Sequence, residues 1–335
     1  MRLARNTKVA AAAVLLALCL GLAACGEKSE DITGGEPTPF KLTLDFYPNP
    51  DHAGIYAGQK LGFFRDAGLN LSIETPSDPA APIRLVAAGR TDLAISYEPE
   101  VMLAREQGLD VVAVGALVDK PLTSMIWLEK SGIKGIGGLR GKTIATAGIP
   151  YQDAYLKTIL ARANLSTSDV KAVNVGFGLL PALVGGSAQA MLGGFSNIEG
   201  VDLRERGEKP VVTPVDQLGV PTYDELVLVA RRKSLEEDPE PIRLFLAALS
   251  RGTAAAVANP KMAVAAVREA NPSLDPKLAK AEVRATLPLL SRSGSMNQAE
   301  WTKFIGWMRD NGLISQLPPA TEVLDNSYLP GKISE

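Results

Sequence analysis

The stretch LDFYPNPDHAGIYAG, residues 44–58, holds the only histidine of the chain. His52 stands there among Phe46, Tyr47, Asn49 and Tyr56, so ring faces and hydrogen-bonding groups crowd one short segment. A neutral imidazole offers one donor and one acceptor, which suits either proton transfer or a fixed hydrogen bond. Three more segments carry related chemistry: Tyr97-Glu98, Phe195 with Asn197 and Glu199, and Tyr223-Asp224-Glu225. Carboxylates accept from an amine, and side-chain amides both donate and accept. Aromatic rings supply stacking faces. That inventory suits a neutral or amine-bearing ligand. The loops carrying it contain no Arg or Lys, and carboxylates disfavour an anion unless protonated.

Each residue also has a structural reading. Asn49 and Asp51 are good helix-capping types, and His52 sits where the next helix starts. Glu199 can be an exposed or hinge-bonded carboxylate. Period-two alternation puts Tyr223 and Glu225 on one face, with Asp224 turned away. Tyr151 and Asp153 open a further helix, where Asp153 reads as a helix-start charge.

Short β-rich runs alternate with helical periodicity from residue 40 onward. KLTLDF (41–46), LNLSIET (69–75), DLAIS (92–96) and DVVAVGAL (110–117) are expected strands. GIYAGQKLGFFRDAG (54–68), APIRLVAAGR (81–90) and PEVMLAREQG (99–108) are the helices between them. A second block repeats the order through KTIATA, QDAYLKTILARAN, VKAVNV, LLPALVGGSA and AMLGGFS, and DELVLVARR (224–232) is one more strand. Such alternation predicts an α/β protein whose ligand lies beyond the carboxyl ends of the strands. The segments 83–98 and 181–199 correspond, each running from a helix with a Leu-Val pair to a strand and a terminal glutamate. From residue 239 to about 312 the pattern is helical, each helix opening at Asp, Asn or Pro.

At 335 residues, 46% hydrophobic and 21% charged, the chain is long enough for two folded units. Scattered basic residues without a patch exclude nucleic acid as an expected partner. Arg2, Arg5 and Lys8 precede the apolar run VAAAAVLLALCLGLAA (9–24), shorter than a membrane-spanning helix requires. Residues 1–24 are therefore expected to be a secretion signal, and 25–37 a polar tether. Removing 1–24 takes three basic residues and no acidic one, leaving a charge of −5 from 32 basic and 37 acidic residues. Cys25 is then the sole cysteine, which rules out disulfides within the mature chain and thiolate metal sites. No metal or cofactor is expected.

Leu22-Ala23-Ala24-Cys25-Gly26 resembles a bacterial lipobox, which implies lipidation at Cys25. The opening LDFYPNPDHAGIY, the helix ending GFFRDAGL, and VAAGRTDLAIS are similar to the extracytoplasmic solute-binding proteins of ABC importers. GIPYQDAYL (148–156), SNIEG (196–200) and PTYDELVLV (221–229) resemble the group within them that binds thiamine-precursor pyrimidines such as formylaminopyrimidine or hydroxymethylpyrimidine. Phe46 departs from the tryptophan common there. The resemblance implies a two-lobed type II periplasmic-binding-protein fold, two mixed sheets flanked by helices and joined by two crossovers. The first lobe would be 38–124 with 226–335, and the second 125–225. It implies a monomeric, membrane-anchored extracytoplasmic receptor, delivering its ligand to an ABC permease and its ATPase. The expected ligand contacts are Phe46, Tyr47, Asn49, His52, Tyr56, Tyr97, Glu98, Phe195, Asn197, Glu199 and Tyr223. Sulfonate, taurine, nitrate or a riboflavin-like heterocycle on the same fold is the alternative. A pyrimidine-processing enzyme is the reading from another class. The fold-sharing synthases have a cysteine-rich pattern before the second crossover strand, where this chain reads GVPTYDELV, so no enzymatic activity is expected.

Overall fold

In the computed structural model, residues 36–316 and 318–331 are described. The expected signal 1–24, Cys25 and most of the tether lie outside them. No helix among the described residues is long and apolar enough to cross a membrane.

Among the described residues, ten strands form two sheets. β1 (Thr38–Thr43), β2 (Leu69–Glu74), β3 (Leu93–Ser96), β4 (Val111–Val118) and β10 (Leu226–Arg231) make the first, in the order β2-β1-β3-β10-β4. β5 (Thr123–Leu128), β6 (Thr143–Thr146), β7 (Lys171–Asn174), β8 (Ala190–Phe195) and β9 (Pro210–Pro214) make the second, in the order β7-β6-β8-β5-β9. Both are mixed. β1 runs parallel to β2 and β3, while β10 returns antiparallel between β3 and β4. β6 is parallel to β7 and β8, with β5 antiparallel to β8 and β9. The chain thus leaves the first sheet at 119–122 and returns to it at 215–225.

β4 and β5 are buried along their whole length, as unbroken runs of apolar and small residues dictate for strands covered on both faces. Several element bounds differ from the sequence pattern for identifiable reasons. β1 starts at Thr38 rather than residue 41 and ends before Asp45. Its proline at 39 is tolerated because that half of the strand pairs only with β2. The helix expected over 54–68 is two, Ala53–Lys60 and Phe63–Asp66, because Gly62 adopts φ 78° between them. β9, bounded by prolines, is an edge strand, where a missing N–H costs little.

One apolar cluster spans both lobes, and a smaller one lies within the second. Helix Gln298–Asp310, which follows the first sheet, brings Trp307 to 5.7 Å from Tyr155 of helix Gln152–Ala161 in the second lobe. Tyr97, Tyr151, Tyr155, Tyr223 and Phe304 continue that seam with ring centroids 5.0–6.0 Å apart.

The crossovers are clasped by a carboxylate. Glu225, fully buried, accepts from the Leu122 and Thr123 N–H groups at 2.7 Å each, the Thr123 hydroxyl at 2.8 Å and the Tyr223 hydroxyl at 3.0 Å. Beside it, Glu98 accepts from the Asp224 N–H and Asp224 from the Trp301 indole, both at 2.7 Å. Burial pushes Glu225 up to about 7 and Asp224 up to about 6.

Candidate functional site

The carboxyl ends of β1, β3, β6 and β8 converge on a cavity between the lobes, as parallel strand ends do in such sheets. It encloses about 500 Å³ of empty space, open solvent included. Phe46, Tyr97, Tyr151 and Phe195 give it aromatic walls, and Asp45, Asn49, Thr123, Gln152 and Glu199 give it polar ones. None of its lining residues is Arg or Lys.

The carboxylates have different settings. Asp45 is 1% exposed and accepts the Tyr97 hydroxyl on Oδ2 at 3.2 Å. Its Oδ1 meets His52 Nε2 at 2.8 Å. Since the Asn49 N–H donates to His52 Nδ1 at 3.3 Å, that nitrogen must accept and Nε2 must carry the proton. Glu199 opens the helix Glu199–Glu205 and accepts the Phe195 N–H at 2.7 Å. Burial raises its pKa to about 7, against the lowering effect of that bond.

Two of the polar walls depend on backbone geometry. Asn49 caps the turn Pro50–His52 by accepting the Asp51 N–H at 2.8 Å, while its amide donates to the Tyr47 carbonyl at 3.1 Å. It therefore both caps and lines the cavity. Gln152 accepts the Ala147 N–H at 2.9 Å, and its amide nitrogen would lie 2.5 Å from a Cβ at residue 193. Gly193, at φ 116°, leaves that space open.

Of the residues expected from sequence, Phe46, Asn49, Tyr97, Phe195 and Glu199 line this cavity. Tyr47, 51% exposed, lies instead in the mouth outside it, edge-on to Phe46 at 5.3 Å. The others turn away. His52 is 0% exposed and sealed behind Asp45, so its ring shapes the loop. Tyr56 is buried on the helix behind His52, 6.4 Å from its ring. Glu98 and Tyr223 hold the crossovers, through Asp224 and Glu225. Asn197 bridges the lobes, donating to Asp51 Oδ1 at 2.7 Å and to the Thr286 hydroxyl at 2.8 Å. Sequence reasoning passed over Asp45, Tyr151 and Gln152. For Asp45 a signal existed: an acidic residue just past an apolar strand, one position before the aromatic pair.

Comparison with known proteins agrees with this architecture. The family described as NMT1/THI5 like matches residues 49–263. A provisionally named thiamine biosynthesis protein of Haemophilus influenzae is 36% identical over 275 residues, covering 82% of this chain and 87% of its own. The formylaminopyrimidine-binding protein of Halalkalibacterium halodurans is 32% identical over 285 residues, covering 82% and 86%. A 4-amino-5-hydroxymethyl-2-methylpyrimidine phosphate synthase of Legionella pneumophila is 26% identical over 292 residues, covering 86% and 92%. Among solved structures, the alkanesulfonate-binding protein of Xanthomonas axonopodis pv. citri superposes with a TM-score of 0.69 at 14% identity, covering 87% and 99%. The fold is that of the type II periplasmic binding proteins.

Proposed function

The chain belongs to the NMT1/THI5-like family, and from that premise we propose that it is the substrate-binding component of an ABC importer for a thiamine-precursor pyrimidine. Formylaminopyrimidine or hydroxymethylpyrimidine is captured by lobe closure outside the membrane and handed to the permease. The observation that carries this reading is the interlobe cavity: four aromatic rings, the carboxylates of Asp45 and Glu199, and no cation. Rings stack on a flat heterocycle, Glu199 accepts from its exocyclic amine, and Gln152 and Asn49 meet ring nitrogens. A sulfonate would instead face two carboxylates without a compensating charge. Anchoring through a lipid on Cys25 belongs to the same proposal.

Turnover is the competing reading, because relatives include pyrimidine phosphate synthases. The position of His52 speaks against it here: both ring nitrogens are occupied and the ring does not border the cavity. The test is binding of amino- and formylaminopyrimidines to purified protein, read as a rise in melting temperature and by calorimetry. A shift with a sulfonate and none with pyrimidines overturns the ligand, and conversion of a pyrimidine precursor overturns the receptor role.

A further inference from the structure

Outside the inner cavity the lobes leave a wider mouth, about 1130 Å³ of empty space including open solvent. The two spaces share Phe46, Asn49, Ile198 and Glu199, so they lie directly against one another. One wall of the mouth is aromatic. Phe177 lies 4.6 Å from Phe46, edge-on, and 5.0 Å from Tyr47. Glu199, Asp202 and Glu282 line the same mouth.

Glu282, from helix Pro276–Thr286, is the unexplained group. It is 3% exposed, lines the mouth, and has no hydrogen bond or ion pair among the described residues. Burial first, then the charges of Asp202, Glu199 and Asp51, push its pKa up to about 8. Neighbouring cations are committed elsewhere. Arg206 pairs with Asp202, one contact being 3.0 Å, and Lys277 with Glu205 at 2.9 Å. Behind Glu282, Asp51 Oδ2 and Asn197 Oδ1 are buried acceptors that also lack a donor. The carboxylates form no group able to hold a metal ion among the described residues. Aromatic rings lining the same mouth as the partner-less Glu282 carboxylate suit an organic ammonium, which gains from both cation–π attraction and charge-assisted hydrogen bonds.

We propose that the mouth is a subsite for a protonated amine arm on the ring held by the inner cavity, with Glu282 as the carboxylate that pairs with it. The proposal rests on the pyrimidine reading and extends it: the preferred ligand class is an aminopyrimidine with a cationic side arm. Binding the ammonium displaces the proton that Glu282 otherwise holds at neutral pH, so complex formation releases protons to solvent.

The experiment is calorimetric titration of the full chain at pH 7 with two 4-amino-2-methylpyrimidines, bearing aminomethyl or hydroxymethyl at ring position 5. The aminomethyl compound is expected to bind at least about tenfold tighter, with heats that depend on buffer ionisation, from one charge-assisted contact. Glu282→Gln, which breaks no hydrogen bond seen here, is expected to bring the two compounds to within about twofold of each other. Equal affinities in the wild type, or a preference that survives Glu282→Gln, overturn the proposal and leave the pyrimidine reading standing. If neither compound binds, the pyrimidine reading falls and the proposal falls with it.

Discussion

Removing the carboxylate that clasps the crossovers separates two roles of Glu225. Glu225→Ala takes the acceptor from the Leu122 and Thr123 N–H groups and from two hydroxyls, all buried. The hydroxyls can rotate toward other acceptors, but the two N–H groups cannot. Each buried donor left unmade costs roughly 1–3 kcal/mol, so about 4 kcal/mol of stability should be lost. Glu225→Gln is different. Its carbonyl can occupy the Oε2 position, keeping three donors, while its NH2 faces the Thr123 hydroxyl, which turns to accept. Its charge, however, cannot titrate. The wild-type carboxyl has a folded pKa of about 7 against an ordinary value of 4.5. Because the folded state holds the proton more tightly, this group favours folding below pH 4.5 and loses that contribution as pH rises through about 7. At about 1.36 kcal/mol per pKa unit, the loss amounts to at most about 3 kcal/mol. Urea unfolding at pH 5, 6, 7 and 8 should therefore show Glu225→Gln gaining on the wild type with pH, and Glu225→Ala well below both at pH 5. The reasoning is refuted if Gln is as damaging as Ala, or if the difference between Gln and wild type does not change with pH.

Other expectations follow from the same contacts. Glu199→Ala should weaken aminopyrimidine binding by about tenfold or more, the scale of a lost hydrogen bond to a charged group, as measured by calorimetry. His52→Ala should cost about 2 kcal/mol of stability through the lost Asp45 and Asn49 partners, with a smaller effect on affinity; thermal melts compared with titrations decide this. Asn197→Asp places a carboxylate against Asp51 across the lobes, so X-ray scattering should show a more open molecule at pH 8 than the wild type.

Which loops border the candidate cavity was legible, because strand alternation locates the carboxyl ends and the polar segments 47–52, 97–98 and 195–199 fall there. Which way each side chain points was not. His52, Glu98, Asn197 and Tyr223 all stand in the expected loops, yet each turns toward a protein partner and away from the cavity. His52 answers to Asp45, Glu98 to the Asp224 N–H, Asn197 to Thr286, and Tyr223 to Glu225. Periodicity reports faces within an element, and none of these residues lies in the middle of one. Gln152 was missed for a related reason: its role depends on the space beside Gly193, which only the folded turn reveals.

The strand order has a consequence for the order of events during synthesis. The second sheet is drawn from one continuous stretch, 123–214, and can close as soon as that stretch has emerged. The first cannot: β10 lies between β3 and β4, so β4 has no neighbouring strand until residues 226–231 have been made. Chains fold in units as they are produced, and an insertion of this kind inverts the usual sequence. The lobe that starts first is finished last, and any chain cut short before Leu226 leaves the first sheet in two pieces.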